Sequence, residues 1–446
     1  MNIDQAFLYI ESFTNLEKTP GTSMRPYRLN RMKALLEMFE NPQNRLKTVH
    51  ISGSKGKGST GVYIASVLRE AGFTTGLYTS PHVSSYKERI TVAGREIDDG
   101  PIVTQAMRIR DLIESTDPLP LPGKSEPTTF ELLTLLAYLV FAEIGCTWAV
   151  IETGIGGRLD ATNILMPRAT VHTLVEFEHT EILGNTIAEI AYEKAGIMKP
   201  GIPAFCGPQR PDAEDVFRRR ADKISAPIFF AKDRIKSMRV SGDSAGLFVD
   251  VETAEGESVH LKPGMPGAFQ ADNAVLAYLV ADHLLQSEGT AAVARKRALI
   301  EGIGLGKLPG RMELICAEPP VMLDAAHTAS SAQRLLEAYK EIYSETGVLI
   351  FGSVLGKDVR SMAEILAPAF KNVIISTPGT FKQSDPEGVY REFKAINDNT
   401  ELILNPSEAY QRALSISRDT FPILITGSFY MIGEIRPLET EQAGVQ

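Results

Sequence analysis

Short apolar runs alternate with amphipathic stretches of helical spacing along almost the whole chain, the pattern of a parallel α/β sheet. The pattern predicts strands at Thr48–Ser52, Thr75–Tyr78, Trp148–Glu152, Ala169–Leu174, Pro203–Cys206, Val321–Leu323, Gly347–Phe351, Asn372–Ser376 and Pro422–Thr426. Helices are expected at Asn30–Phe39, Val62–Ala71, Ile102–Glu114, Thr129–Ile144, Thr186–Ala195, Asn273–Leu285, Ser330–Tyr343 and Val359–Ala367. From Ile228 to His260 the alternation is broken by Gly242, Gly246 and Gly256, which reads as an antiparallel hairpin excursion. A second break, Gly302-Ile303-Gly304-Leu305-Gly306-Lys307-Leu308-Pro309-Gly310-Arg311, has the composition of a hinge, and the alternation restarts after it. The expected division is therefore a first domain over residues 1–300, a linker over 301–311 and a smaller domain over 312–446. The Pro-, Gly- and Ser-rich segment 115–127 reads as a loop, and the polar stretch after Pro437 as a frayed tail.

Composition narrows the class. At 446 residues the chain exceeds one ordinary core, and 43% hydrophobic with 23% charged residues is the balance of a globular protein. The net charge of −9 argues against a general nucleic-acid binder. The longest apolar run, Leu132 to Ile144, is shorter than a membrane span and carries Thr134 and Glu143. Met1-Asn2-Ile3-Asp4 lacks the basic stretch and apolar core of a secretion signal. Cys146, Cys206 and Cys316 are too few and too dispersed for a metal quartet. They fit a reducing, cytoplasmic setting.

The chemistry begins at the first strand. Thr48 to Ile51 is followed by Gly53-Ser54-Lys55-Gly56-Lys57-Gly58-Ser59-Thr60 and then a helical pattern. A strand, a glycine-dense turn and a helix start bring backbone N–H groups and a helix N-terminus around an anion, with a lysine for the terminal phosphates of a nucleoside triphosphate. The loop is two residues shorter than the strict G-x-x-x-x-G-K-[ST] pattern. A second constellation, Glu152 to Asn163, follows another buried strand. In a parallel sheet such loops gather at one edge, so Glu152 is placed to reach what the phosphate loop holds. A carboxylate, a hydroxyl and phosphate oxygens suit Mg²⁺. Taken alone, His179 reads as a hydrogen-bonding residue and Lys194 as a solvated helix lysine.

Together these motifs resemble the bacterial folylpolyglutamate synthase/dihydrofolate synthase family, within the ATP-dependent Mur ligase superfamily. Gly53–Thr60 is similar to the family's G-T-N-G-K-G-S-T, and Thr79-Ser80-Pro81-His82 with Glu88-Arg89-Ile90 to T-S-P-H…E-R-I. Phe130-Glu131 resembles the end of T-Y-F-E, and Glu152–Asn163 resembles E-x-G-x-G-G-R-x-D-A-T-N. His179-Thr180, Leu183-Gly184-Asn185-Thr186 and Glu193-Lys194-Ala195-Gly196-Ile197 resemble D-H-T, L-G-x-T and E-K-A-G-I. Pro309-Gly310-Arg311, Leu323-Asp324-Ala325-Ala326-His327 and Phe351-Gly352…Lys357-Asp358 continue the series in the same order.

The resemblance implies a P-loop, Mur-ligase-like central domain with a mainly parallel sheet and a smaller Rossmann-like C-terminal domain. It implies ATP-dependent ligation: a substrate carboxylate becomes an acyl phosphate, which the amine of L-glutamate attacks. Gly53, Gly56, Lys57, Gly58, Ser59 and Thr60 would hold ATP together with Asn273, Arg311 and Asp324. Ser80, Glu152 and His179 would hold Mg²⁺, with a second divalent ion or K⁺ as an open alternative. Lys194 matches a lysine that family members carry as a carbamate. Lys57, Lys194, His179 and Arg311 are thus the expected catalytic set. Thr128, Thr129, Phe130, Glu131, Leu159, Asp160 and Ala161 fall where a pterin-type substrate binds, and His327 and Ser428 where glutamate is expected. The family resemblance suggests a monomer acting on small molecules, without nucleic acid or membrane.

Each assignment has a plainer reading beside it: Thr128-Thr129 as a helix cap, Arg311 as a hinge salt bridge, Asp324 as a turn cap. Four departures bear on specificity. Lys55 replaces an asparagine, Thr129 a tyrosine, Glu178 an aspartate and Thr328 an asparagine. They keep open a ligase for a non-folate carboxylate, and a nucleotide-binding regulator without ligation.

Overall fold

The computed structural model describes residues 1–15, 28–123, 126–243, 246–380, 382–418 and 420–443. Lys124 and Ser125 of the expected 115–127 loop, and the last three residues of the expected tail, lie outside the described residues. The main sheet comprises β1 (Lys47–Ser52), β2 (Thr75–Tyr78), β3 (Ile90–Val92), β4 (Trp148–Glu152), β5 (Ala169–His172), β6 (Ala204–Cys206) and β7 (Ile228–Phe230), in the order β3-β2-β4-β1-β5-β6-β7. Only β3 runs antiparallel. A small antiparallel sheet follows: β8 (Ile235–Asp243), β9 (Gly246–Thr253) and β10 (Ser258–Leu261). A separate third sheet holds β11 (Glu313–Ala317), β12 (Pro320–Leu323), β13 (Val348–Phe351), β14 (Asn372–Ile375), β15 (Thr400–Leu402) and β16 (Ile423–Thr426), ordered β11-β12-β16-β13-β14-β15, with only β11 antiparallel.

Both faces of the main sheet are covered, which is why its central strands read as continuous apolar runs. Val49, Ile51 and Val150 pack under helices Lys57–Glu70, Gln270–Ser287 and Ala292–Leu305. Ala149 and Ile151 face a second core built with helices Ile3–Glu11, Arg28–Glu37, Asp99–Ser115 and Thr129–Glu143. Thr129–Glu143, the longest apolar run, is thus a core helix buried on nearly every side. Among the described residues no helix is long and apolar enough to cross a membrane.

Three expectations change. Ile228–Phe230 is a strand of the main sheet rather than part of the excursion, which has three strands and starts at Ile235. Residues 302–305 of the expected hinge are helical, inside Ala292–Leu305. A Cβ at Gly302 would stand 2.4 Å from Val67 Cα, so this glycine lets two helices meet backbone to backbone. The stretch after Pro437 continues the helix Phe429–Ala443 rather than fraying there.

Candidate active site

Strand β1 ends at Ser52, and the chain turns through Gly53–Gly56 into a helix that begins at Lys57. The turn is braced from β5's side: Ser54 and Lys55 donate their N–H groups to Leu174 O (2.8 and 3.2 Å), and Ser54 Oγ donates to Glu176 O (2.9 Å). Gly56 has φ +87°, and a Cβ there would lie 2.1 Å from Asn273 Oδ1, so conformation and close approach both demand glycine. Having no side chain, Gly56 does not cap the helix. The first backbone bond back to it comes from Thr60 N–H (2.9 Å), so the N–H groups ahead of Thr60 keep the positive helix end free for an anion. Asn273 Nδ2 donates to Gln270 Oε1 (2.9 Å), and Gln270 Nε2 to Ser59 Oγ (3.4 Å). Sequence reasoning passed over Gln270; its i,i+3 spacing from Asn273 was the available signal.

Lys57 Nζ stands 3.7 Å from Glu152 Oε1 at the end of β4. Burial pushes the Glu152 carboxyl up, while Lys57 and Arg311 oppose that shift. Lys194, near the end of helix Ile187–Ala195, is 1% exposed and does not line the cleft that most of the other candidates share. Its Nζ donates to Gly53 O (2.8 Å) and to Glu178 Oε1 (2.6 Å). Burial brings its pKa down to about 8 even though Glu178 supports the charge. Burial also works against ionisation of Glu178, but Lys194 and Lys57 outweigh it and hold that carboxyl at about 2. His179 follows with φ +45° and a half-exposed ring 3.8 Å from Glu181. Burial lowers its pKa, and Glu178 and Glu181 oppose that shift.

The expected substrate residues divide into two kinds. Thr128 and Glu131 form a reciprocal capping box (Glu131 N–H to Thr128 Oγ1, 3.2 Å; Thr128 N–H to Glu131 Oε2, 2.7 Å). Glu131 also meets Arg31 at 3.4 Å. Thr129 Oγ1 donates to Phe13 O (3.1 Å). Asp160 accepts from Gly154 N–H (3.0 Å) and Ile155 N–H (3.1 Å) with one oxygen, and from Thr162 N–H (3.0 Å) with the other, and so holds the glycine turn after β4. Phe130, Leu159 and Ala161 instead offer apolar wall. The Phe130 ring abuts Gly154, where a Cβ would lie 2.7 Å from its Cζ.

Across the cleft stands the carboxyl edge of the third sheet. Asp324, after β12, accepts from Met312 N–H (3.0 Å) and Ala326 N–H (2.9 Å). Arg311 donates to Gly310 O (3.2 Å) and stacks on Phe429 at 4.8 Å. Burial works against its charge, and Asp324 and Glu152 support it. His327 Nδ1 contacts Ala325 O (2.8 Å), and burial, with Lys55 nearby, pushes its pKa down to about 3. Thr328 caps helix Ala329–Ile342. Ser428 Oγ donates to Gly352 O and accepts from Met431 N–H, both at 3.0 Å.

One cleft of about 1290 Å³ joins these edges. Of the expected residues, Gly56, Lys57, Gly58, Ser59, Ser80, Glu152, His179, Asn273, Arg311, Asp324, His327 and Ser428 line it, as do Thr128–Glu131 and Leu159–Ala161. Gly53, Thr60 and Lys194 stand behind its wall. The cleft lies at the carboxyl ends of two parallel sheets, where such folds bind ligands.

The Mur ligase middle domain matches residues 51–281, and the Mur ligase glutamate ligase domain matches residues 310–429. The chain belongs to the Mur ligase family. It is 32% identical to the dihydrofolate synthase/folylpolyglutamate synthase of Bacillus subtilis, over 92% of this chain and 94% of that one. Among solved structures it resembles Mycobacterium tuberculosis folylpolyglutamate synthase complexed with ADP, at 26% identity and a TM-score of 0.85 over 98% of this chain and 99% of the other. It also resembles a folylpolyglutamate synthase in complex with AMPPCP and folate, at 29% identity and a TM-score of 0.78 over 98% and 99% of the two chains. Like its relatives, this Mur ligase is an ATP-dependent enzyme of the folylpolyglutamate synthase type.

Proposed function

We propose that this chain adds L-glutamate to a folate-type carboxylate (dihydropteroate, or the γ-carboxylate of a reduced folate) through an acyl phosphate, releasing ADP and phosphate. The observation that carries the reading is the shared cleft: a phosphate loop with Lys57 on one edge faces Arg311, Asp324 and His327 on the other. A carboxylate is a poor electrophile, and phosphorylation supplies its leaving group, so the protein's task is to align reactants and offset phosphate charge. The free N–H groups of helix Lys57–Glu70 hold the triphosphate and Lys57 meets its terminal phosphates. Arg311 reaches the same charge from the hinge. Gln270 and Asn273 set the loop's rear wall. His327, neutral at working pH, and Ser428 border the space for the incoming amino acid. Phe130 and Leu159 offer flat apolar surface for a ring system.

The donor set suits Mg²⁺. Glu152 is a buried carboxylate that needs a cation, and Ser80 and His179 border the same cleft. Among the described residues no group of three His, Cys, Asp or Glu side chains is poised to hold a metal, which fits an ion that takes most of its ligands from phosphates and water. Bound there, Mg²⁺ would neutralise charge on the phosphates. Carbamylation of Lys194 requires its present pairing to be exchanged: burial favours loss of the amine's proton, and the anion formed must have a cation between itself and Glu178. We further propose a division into residues 1–300 and 312–446, action as a monomer, and a cytoplasmic location.

The second reading, a non-folate carboxylate substrate, is carried by Thr129, whose hydroxyl is spent on Phe13 O in the acceptor pocket. ADP release measured with L-glutamate against a panel of carboxylates decides: turnover on dihydropteroate or reduced folates supports the proposal, and turnover confined to other carboxylates removes it.

A further inference from the structure

The phosphate loop and the far side of the cleft are joined by one short chain of contacts. Segment Leu174–Glu178 grips the loop through Leu174 O and Glu176 O. The Glu176 carboxylate then receives Arg334 Nη2 at 2.6 Å. Arg334 lies in the second turn of helix Ala329–Ile342, whose N-terminus carries the Thr328 cap and, just before it, His327. Glu176 and Arg334 both line the cleft. A second ion pair across the halves among the described residues, Arg436 with Glu88 (3.2 Å), is of a different kind: Glu88 is spent on the N–H groups of Val83, Ser84 and Ser85, and Arg436 also holds Glu313 beside Gly310. That contact secures the hinge side, whereas Glu176–Arg334 spans the working face.

We propose that Glu176 and Arg334 are positioning residues for the incoming amino acid: their ion pair sets the His327 end of helix Ala329–Ile342 against the phosphate loop, so that amine and acyl phosphate meet. The inference rests on the ligase reading above. The side chains are 22% and 38% exposed, so the pair is weak as a stabiliser of the fold, and its effect falls on relative placement of the two edges. A merely structural pair would move melting temperature and every KM together. A positioning pair moves the KM of the substrate that only the joined edges bind.

The test uses the full chain with Glu176→Gln, Arg334→Gln and the exchanged double variant Glu176→Arg/Arg334→Glu. ADP release is measured while ATP, a reduced folate and L-glutamate are varied one at a time, beside thermal melting. The single variants are expected to raise the KM for L-glutamate about two- to fivefold, the range a partly exposed ion pair supplies. The KM for ATP and the melting temperature stay at wild-type values, the exchange recovers most of the loss, and added salt shrinks the difference. Singles that leave the glutamate KM unmoved, that raise the ATP KM equally, or that lower melting in step with all KM values overturn the proposal, as does an exchange no better than the worse single. Those results are read against normal wild-type turnover. A wild-type enzyme inactive on every carboxylate fails the ligase reading itself, and this proposal with it.

Discussion

The two edges of the cleft are built from the same motif, a parallel strand ending in a polar loop, yet they use their polar groups differently. On the main-sheet edge, charge is left available: Lys57 has one carboxylate at 3.7 Å, and the helix start behind Gly56 has no side-chain cap. On the third-sheet edge, polar side chains are committed to their own turns, Asp324 to two backbone N–H groups, Ser428 to Gly352 and Met431, and Thr328 to a helix cap. One edge is organised to act on phosphate, and the other, apart from Arg311, presents a rigid wall. Substitutions should therefore cost rate on the first edge and stability or amino-acid binding on the second.

The largest effect is expected at Lys57. Lys57→Ala should lower ATP turnover on the order of a hundredfold or more, the scale for loss of one transition-state charge contact, with melting retained. Near-normal turnover would mean that Lys55 or Arg311 serves the terminal phosphates instead. Lys194 tests how the first edge is supported from behind. Lys194→Ala should be inactive, since it strands Glu178 and frees Gly53 O; partial recovery with acetate or formate would support a carbamate, and a robustly active Lys194→Arg would exclude one.

On the opposite edge, Asp324→Asn keeps an acceptor for one of the two N–H groups but sets an amide donor against the other, and should cost about 1–3 kcal/mol in denaturant unfolding. An unchanged stability with a raised KM for ATP would erase the contrast, making Asp324 a nucleotide contact like those of the first edge. Smaller still is Thr128→Ala, back on the main-sheet side but with its hydroxyl likewise spent on a backbone cap: it removes one half of a capping box and should cost about 1 kcal/mol with little change in kcat. A raised KM for the carboxylate at wild-type stability would instead make Thr128 a substrate contact.

A further effect concerns pH. His327 titrates near 3 in the fold and near its ordinary 6.5 when unfolded, because burial disfavours the imidazolium. The unfolded chain binds the extra proton, so stability is full above 6.5 and declines as pH falls toward about 3. Buried His50 and His172, also held near 3, act in the same window, so His327→Gln should lessen that slope without removing it; an unaltered slope would show the His327 ring to be freely solvated.

Much of the main-sheet edge was legible in order of residues. The phosphate loop announces itself because a buried strand, glycines and a helix start are contiguous. The helix itself starts at Lys57, five residues earlier than its apolar spacing suggested, since Gly58–Gly61 carry no helical pattern of their own. The short edge strands β3, β11 and β15 escaped because three to five residues give too little periodicity to stand out. Thr128, Thr129, Glu131 and Asp160 were named as candidates, but whether their polar atoms faced substrate or backbone depended on contacts a motif does not encode.

The chain's own order was enough to determine the α/β alternation, the phosphate loop and the line of motifs that marks a Mur ligase, because each depends on neighbours within a few residues. Only the folded molecule decided that Gly302 packs against Val67 instead of hinging. It alone brought Lys194 to a carbonyl 141 residues away and Arg334 to a carboxylate 158 residues away. Those outcomes follow from how helices dock on sheets and how sheet edges face each other, and spacing along a chain carries no record of either.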